Sequence, residues 1–531
     1  MPTSASRRRV GFAAALMGSA ALAWMATGCP DESARSVTPP EDAGPEGHEA
    51  PAGRVTWFEG GVEAAFERAR AEERPVFLYW GAQWCPPCHR IKREVFTHPR
   101  FAELVDQVVP VYLDGDTPEA QRWGEAFGAS GYPTLLLLAP DRRELMRFSG
   151  VTNFAEFAAA FEAALTASRP VAETLRMALD GTADADDWRL LAELSWMQDP
   201  RVDLEGEARL AARKELADRV PSTLPEASAS LSGSLLAAVA AAPADAASPT
   251  ARTVRAEPRL YLARLLAGGD ASFAARAYVL DAAVPILEML GEPFRSELAK
   301  RWSRVILEIA EHPRATQDLE LEAVLTELEI DRLIAPDVPP GGDLVRRAKA
   351  AVDAAVRGAT SHHDRHAVIS LAAHVLGRVG DFDAARDLLR REIERTDTPW
   401  YYQSSLSRLE LDAGDPEAAL AWAGRAAASA EGRATRVQWT VEHLTTAIDV
   451  GARGRVAQLL DDYYEVAFAL PDGFSGRNWQ RAQTVAEAVR PLKGRTDVSA
   501  VLERRAGHCG ELGSPASERC RTHFAALGSS G

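Results

Sequence analysis

The stretch VFLYWGAQWCPPCHR, Val76 to Arg90, carries two cysteines, Cys85 and Cys88, with two prolines between them. An apolar run, a turn and then C-x-x-C suits a redox dithiol at the start of a helix. With His89 included, the same residues spell C-x-x-C-H, the attachment signature of a c-type haem. The surroundings separate the two readings, because a haem needs an open apolar crevice and an axial ligand.

Those surroundings alternate helix and strand. VEAAFERARAEER spaces its apolar residues as a helix does and ends at Pro75, and Val76–Trp80 reads as a buried strand. HRIKREVF continues as a helix, RFAELVDQ is a shorter one, and Val108–Asp114 is a strand. PEAQRWGEAFG, Pro118–Gly128, is helical and stops at glycine. LLLLAP is another buried strand, RELMRFSG an edge strand and NFAEFAAAFEAALT a closing amphipathic helix. Such alternation predicts a small α/β layered domain over residues 54–167.

Strand, WCPPC, helix and then GYPT about 45 residues later resembles the thioredoxin superfamily. EVFTHPRFAEL followed by VPVYLDGDTPEA is most similar to the thioredoxin-like C-terminal domain of bacterial thiol:disulfide interchange proteins. The resemblance implies that Cys85 attacks, that Cys88 resolves the mixed disulfide, and that Trp84, Tyr132 and Pro133 dock the substrate chain. It makes Pro133 the cis-proline of the family. A thiolate at Cys85 would be stabilised by the unpaired N–H groups and dipole of the helix it starts. Pro86 and Pro87 suit the first helical positions.

Trp84 and GYPT belong to this pattern and have no place in a haem site, although Met146 and His98 are available as axial ligands. The dithiol reading is therefore preferred, with no cofactor and no metal. His89 is then a polar residue on the active-site helix, and Arg90, Lys92 and Arg93 are solvated cations that favour thiolate. One departure stands out. Tyr79 occupies the position at which thioredoxins keep a buried acidic residue, leaving His89, Glu94 or a water to move protons.

The chain has 531 residues, 46% apolar and 26% charged, enough for two or three domains. Its net charge of −16 argues against a nucleic-acid surface. Arg7, Arg8 and Arg9, then the apolar run Val10–Ala26, then ATGC ending at Cys29, read as an export signal over residues 1–28. The last four residues resemble a bacterial lipobox, with Ala26 where leucine is usual, which implies lipidation at Cys29 and anchoring without spanning. Residues 29–53, rich in Pro, Gly and acids, read as a tether. Export also gives the remaining cysteines an oxidising compartment, in which Cys509 and Cys520 are expected to pair as a structural disulfide.

After residue 167 the windows are Ala-, Leu-, Glu- and Arg-rich with helical spacing. The low-complexity segment Ser228–Thr250 ends Pro-rich, as a hinge or long loop does. GDFDAARDLL from Gly380 and GDPEAALAWA from Gly414 lie 34 residues apart, with a looser copy near Ile448–Leu460. The period resembles tetratricopeptide repeats and predicts a largely α-helical region over 168–531. Either a solenoid with a binding surface or a bundle packed on the first domain satisfies it. In SHHDRH, His362 and His366 share a helix face beside Asp364. Ser361 is expected to cap this helix, with the histidines facing water. His508, Cys509, Cys520 and His523 offer a further metal-type set, for which the disulfide is preferred. Trp400, Tyr401 and Tyr402 read as core.

The expected protein is thus a thioredoxin-fold domain plus a helical-repeat region, lipid-anchored in a bacterial cell envelope and facing the periplasm. It would exchange disulfides with protein substrates and draw electrons from a membrane partner. The alternative is a binding or assembly lipoprotein whose repeats recruit a protein partner.

Overall fold

A computed structural model describes residues 55–129, 131–148, 153–166, 171–194, 204, 206–243 and 248–528. The signal segment, Cys29, the tether and residues 244–247 lie outside the described residues. The described chain divides into two compact bodies, one spanning Leu204–Glu308 and the other comprising the rest.

The second body holds a four-stranded mixed sheet. Strand β1 (Val76–Gly81) runs parallel to β2 (Val109–Asp114) and antiparallel to β3 (Thr134–Leu138). Strand β4 (Glu144–Phe148) pairs antiparallel with β3 and forms the edge, giving the order β2-β1-β3-β4. Every residue of β1 is buried, which explains why VFLYW is apolar without alternation. Below one face, α1 (Val62–Glu72) and α4 (Pro118–Ala126) pack Val62, Phe66 and Trp123 against Leu78 and Trp80. Across the other face, Phe77 meets Phe101 of α3 (Pro99–Val105) and Phe157 and Phe161 of α5 (Phe154–Thr166) edge-on, at 5.7–6.2 Å. Helix α2 (Pro86–Ile91), which follows Cys85, starts one turn beyond the end of β1 and widens into a π-turn over Lys92–Phe96.

Beyond the sheet this body is helical. Three consecutive helix hairpins are His362–Arg378 with Phe382–Ile393, Pro399–Ala413 with Pro416–Ser429, and Arg433–Asp449 with Arg453–Phe468. Their turns contain Gly380, Gly414 and Gly451 at φ of 82°, 84° and 71°, a left-handed backbone that favours glycine. The spacing of the first two is the 34-residue period of the sequence. Ala385, Leu388 and Leu389 of one hairpin and Ala419, Leu420 and Ala423 of the next are buried. Trp422, aligned with Leu388, is only half-buried and lies under Arg425 at 4.3 Å. The final helices are joined by a Cys509–Cys520 disulfide, with Cα atoms 5.5 Å apart, inside an apolar cluster.

The other body is all helical and is built on Pro225–Ala241, the low-complexity segment of the sequence. Its serines and Gly233 let neighbours approach closely, and a Cβ on Gly233 would lie 2.7 Å from Tyr278 Cβ. No helix among the described residues is long and apolar enough to cross a membrane.

Candidate active site: a dithiol under a helical cover

Cys85 is the N-cap of α2, with extended backbone, and Pro86 and Pro87 fill the first two helical positions. The prolines leave Cys88 N–H as the donor that reaches Cys85 Sγ, at 3.4 Å. Across the site, the Tyr132–Pro133 peptide is cis, and Cys85 Sγ donates to the Tyr132 carbonyl oxygen at 3.6 Å. Both cysteines are free thiols and are buried, Cys85 at 4% and Cys88 at 0% exposure.

The two thiols titrate as a pair. Burial pushes the Cys85 thiol well above its ordinary range, and the neighbouring Cys88 adds to this. Burial opposes ionisation of Cys88 too. Hydrogen bonds from Cys85 and the Ala82 backbone, the Lys92 charge and the Tyr79 hydroxyl outweigh it and hold Cys88 below the usual value. The sequence reading placed the stabilised thiolate on Cys85. In this closed arrangement it belongs to Cys88, because both thiols are buried alike and only Cys88 gathers enough hydrogen bonds and positive charge to offset that burial. Tyr79 is wholly buried beside Cys88, at the position where the sequence lacks a carboxylate.

What takes Cys85 out of water is the helical region. Trp84 donates its indole N–H to Thr435 Oγ1 at 2.7 Å, stacks near Tyr401 (6.2 Å) and meets Trp439 edge-on (5.5 Å). Asp116, in the loop after β2, accepts from Thr435 N and Thr435 Oγ1, both at 2.8 Å. It thereby caps the helix Arg433–Asp449, whose own N-cap residue, Gly432, has no side chain to do so. Burial raises the Asp116 carboxyl to about 6, and the Thr435 hydrogen bonds oppose that rise. Arg477 lies over the Tyr132 ring at 4.7 Å, and Arg519 pairs with Glu125 of α4.

The cations after the motif are not solvated, contrary to the sequence reading. Arg90 pairs with Asp318 and with Glu322 (2.5 Å), and Arg93 reaches Asp318 at 3.1 Å. Lys92 is buried. The same packing overturns the water-facing reading for His366, while His362 stays exposed. Ser361 and Asp364 do form a capping box on His362–Arg378, but that helix lies on α2 and His366 is 1% exposed. His89, His362, His363 and His366 form one cluster, with the His89 and His366 rings 4.3 Å apart.

The other candidate residues are accounted for locally. Met146 is buried in β4, and His98 caps α3 while stacking on Phe154 at 3.6 Å. His523 is buried against the Tyr464 hydroxyl at 2.8 Å, while Cys509 and Cys520 bond to each other. Trp400, Tyr401 and Tyr402 are buried as expected, yet Tyr401 also faces the dithiol domain. Asp116, Asp318, Thr435, Trp439 and Arg477 were not singled out from sequence. Each carries no local motif and gains its role through a contact more than 200 residues away.

Residues 57–140 match a protein-family model described as thioredoxin-like. An uncharacterized protein of Caenorhabditis elegans is 30% identical over 94 residues, 16% of this chain and 13% of that protein. The chain therefore spans about an eighth of that relative's length.

Proposed function

We propose that the chain is an exported, membrane-anchored thiol:disulfide oxidoreductase that acts on proteins and whose helical region gates its dithiol. The observation that carries this reading is the reduced pair at the start of α2, with Cys85 Sγ beside the Tyr132 carbonyl. Once uncovered, the Cys85 thiolate attacks a client disulfide. A Cys85–client S–S bond forms and one client thiolate leaves. Cys88, favoured as thiolate by Lys92 and Tyr79, then attacks Cys85 Sγ. The Cys85–Cys88 disulfide forms, the second client thiolate leaves, and two electrons have passed to the client. Both client thiolates take protons from solvent. A membrane electron donor restores the dithiol, and the lipobox-like ATGC at Cys29 would keep the two on one membrane.

The alternative reading is a binding or assembly lipoprotein. It draws on the covered docking surface, since Trp84 is buried and Arg477 overlies Tyr132. In that reading the closed dithiol is structural and a partner uses the remaining helical surface.

A redox titration of the full chain, with Cys85 and Cys88 scored by alkylation and mass, separates the two. A reversible two-electron transition near roughly −250 mV supports a reductase, and one near roughly −120 to −180 mV an oxidase or isomerase. No transition, even after Tyr401→Ala and Thr435→Ala open the cover, removes the redox reading and leaves the binding one.

A further inference from the structure

The histidine cluster beside the dithiol is used by no step above. His89 comes from α2, directly after Cys88, and His362 and His366 come from one face of the helix His362–Arg378. Ring nitrogens of these three lie within 4.8 Å of one another. A tetrahedral zinc-type ion at about 2.0–2.1 Å from each needs nitrogens roughly 3.3 Å apart, within reach of modest ring rotations.

The tautomers suit such an ion. His89 Nε2 donates to the Gln83 carbonyl at 2.5 Å, which leaves the Nδ1 lone pair facing the cluster. Metal-ligating histidines are commonly oriented by a backbone carbonyl in this way. That Nδ1 now lies 2.7 Å from His363 Nδ1. His366 engages Thr396 Oγ1 through Nε2 at 3.2 Å, and its Nδ1 is buried with no hydrogen-bond partner. An orphaned imidazole nitrogen on a residue 1% exposed carries a desolvation cost that a ligand would remove. His362 is exposed and supplies the open side for entry. The nearby carboxylate of Asp364 is engaged with Ser361 N at 2.8 Å and faces Arg93. The Lys92 charge acts on all four histidines and works against a hard ion held by charge alone. Three neutral nitrogens with no free carboxylate select a late first-row ion over magnesium or calcium.

We propose that His89, His362 and His366 form a zinc-type metal site that ties the active-site helix to the helical cover. This does not depend on the redox reading. The test uses the full chain carrying Cys85→Ser and Cys88→Ser, so that thiols cannot bind the ion. Zn²⁺ is measured by competition with a chromogenic chelator, and Co²⁺ by its visible spectrum. The expected result is one ion per chain and a tetrahedral Co²⁺ band without sulfur charge transfer. His362→Ala, at an exposed position that does not threaten folding, should weaken Zn²⁺ on the order of 100-fold. His363→Ala should keep one ion per chain. Absence of binding in the Cys85→Ser, Cys88→Ser chain would overturn the proposal, as would affinity unchanged by both His362→Ala and His366→Asn.

Discussion

Trp84 and Thr435, 351 residues apart in sequence, share a 2.7 Å hydrogen bond, and Thr435 passes its own hydroxyl hydrogen to Asp116. The residue before the first cysteine of the dithiol is thus tied to the N-terminus of a helix in the repeat region. The tie runs through a carboxylate of the thioredoxin-like domain itself. On the proposed gating, access to the dithiol and integrity of this contact would be one equilibrium.

Thr435→Val removes the acceptor for Trp84 and the hydroxyl donor to Asp116 while preserving shape. Each buried hydrogen bond is worth about 1 kcal/mol, so opening becomes at least roughly tenfold more frequent. Carbamidomethylation of Cys85 at fixed pH should accelerate by that factor. An unchanged rate would mean that reagent reaches Cys85 without the cover moving.

Asp116 makes the contact pH-dependent. Burial raises its carboxyl from 3.8 to about 6, with Asp114 adding to the rise and Thr435 and Arg477 opposing it. A raised carboxyl means that the folded state prefers the protonated form. Its contribution to stability is full below pH 3.8 and declines as pH rises through about 6. The limit is about 3 kcal/mol, the free energy that separates a carboxyl at 3.8 from one at about 6. Urea unfolding of wild type and Asp116→Asn from pH 4 to 7 should diverge in that sense, with the asparagine chain the flatter.

Tyr79→Phe separates chemistry from folding. The hydroxyl is buried and makes no short hydrogen bond, so its loss should change stability by less than about 0.5 kcal/mol. The same hydroxyl favours the Cys88 thiolate. Its removal should raise the Cys88 pKa and slow resolution of a Cys85 mixed disulfide about tenfold, read by quenched-flow mass spectrometry.

Asp318 is buried between Arg90 and Arg93, and those charges hold its carboxyl below the usual range against its burial. Asp318→Asn should cost about 3 kcal/mol in unfolding free energy, because two guanidinium groups lose a buried counter-charge.

The Cys509–Cys520 bond closes a loop with a sequence separation of 11. Replacing both with alanine should lower stability by about 3 kcal/mol through the entropy of the unfolded chain. The change is expected in thermal melts while Cys85 alkylation stays at the wild-type rate.

The local order of the thioredoxin-like domain was legible because its signals are short-range. VFLYW is apolar throughout because β1 is buried on both faces, and C-P-P-C follows it because a helix must start there. The 34-residue period was legible for the same reason, since Gly380 and Gly414 mark two turns that require a left-handed residue. The state of the site was not legible. Arg90 and Arg93 read as solvated and His366 as water-facing until Asp318 and α2 are placed against them. Thr435 and Asp116 carry no motif at all. Sequence determines which groups the chain carries and which way each short segment folds, through periodicity and turn chemistry. Only tertiary packing decides which groups lose their water and which partners they gain: burial raises Asp116, hydrogen bonds and the Lys92 charge hold the Cys88 thiol low against its burial, and the helix His362–Arg378 laid on α2 gathers the histidines beside the dithiol.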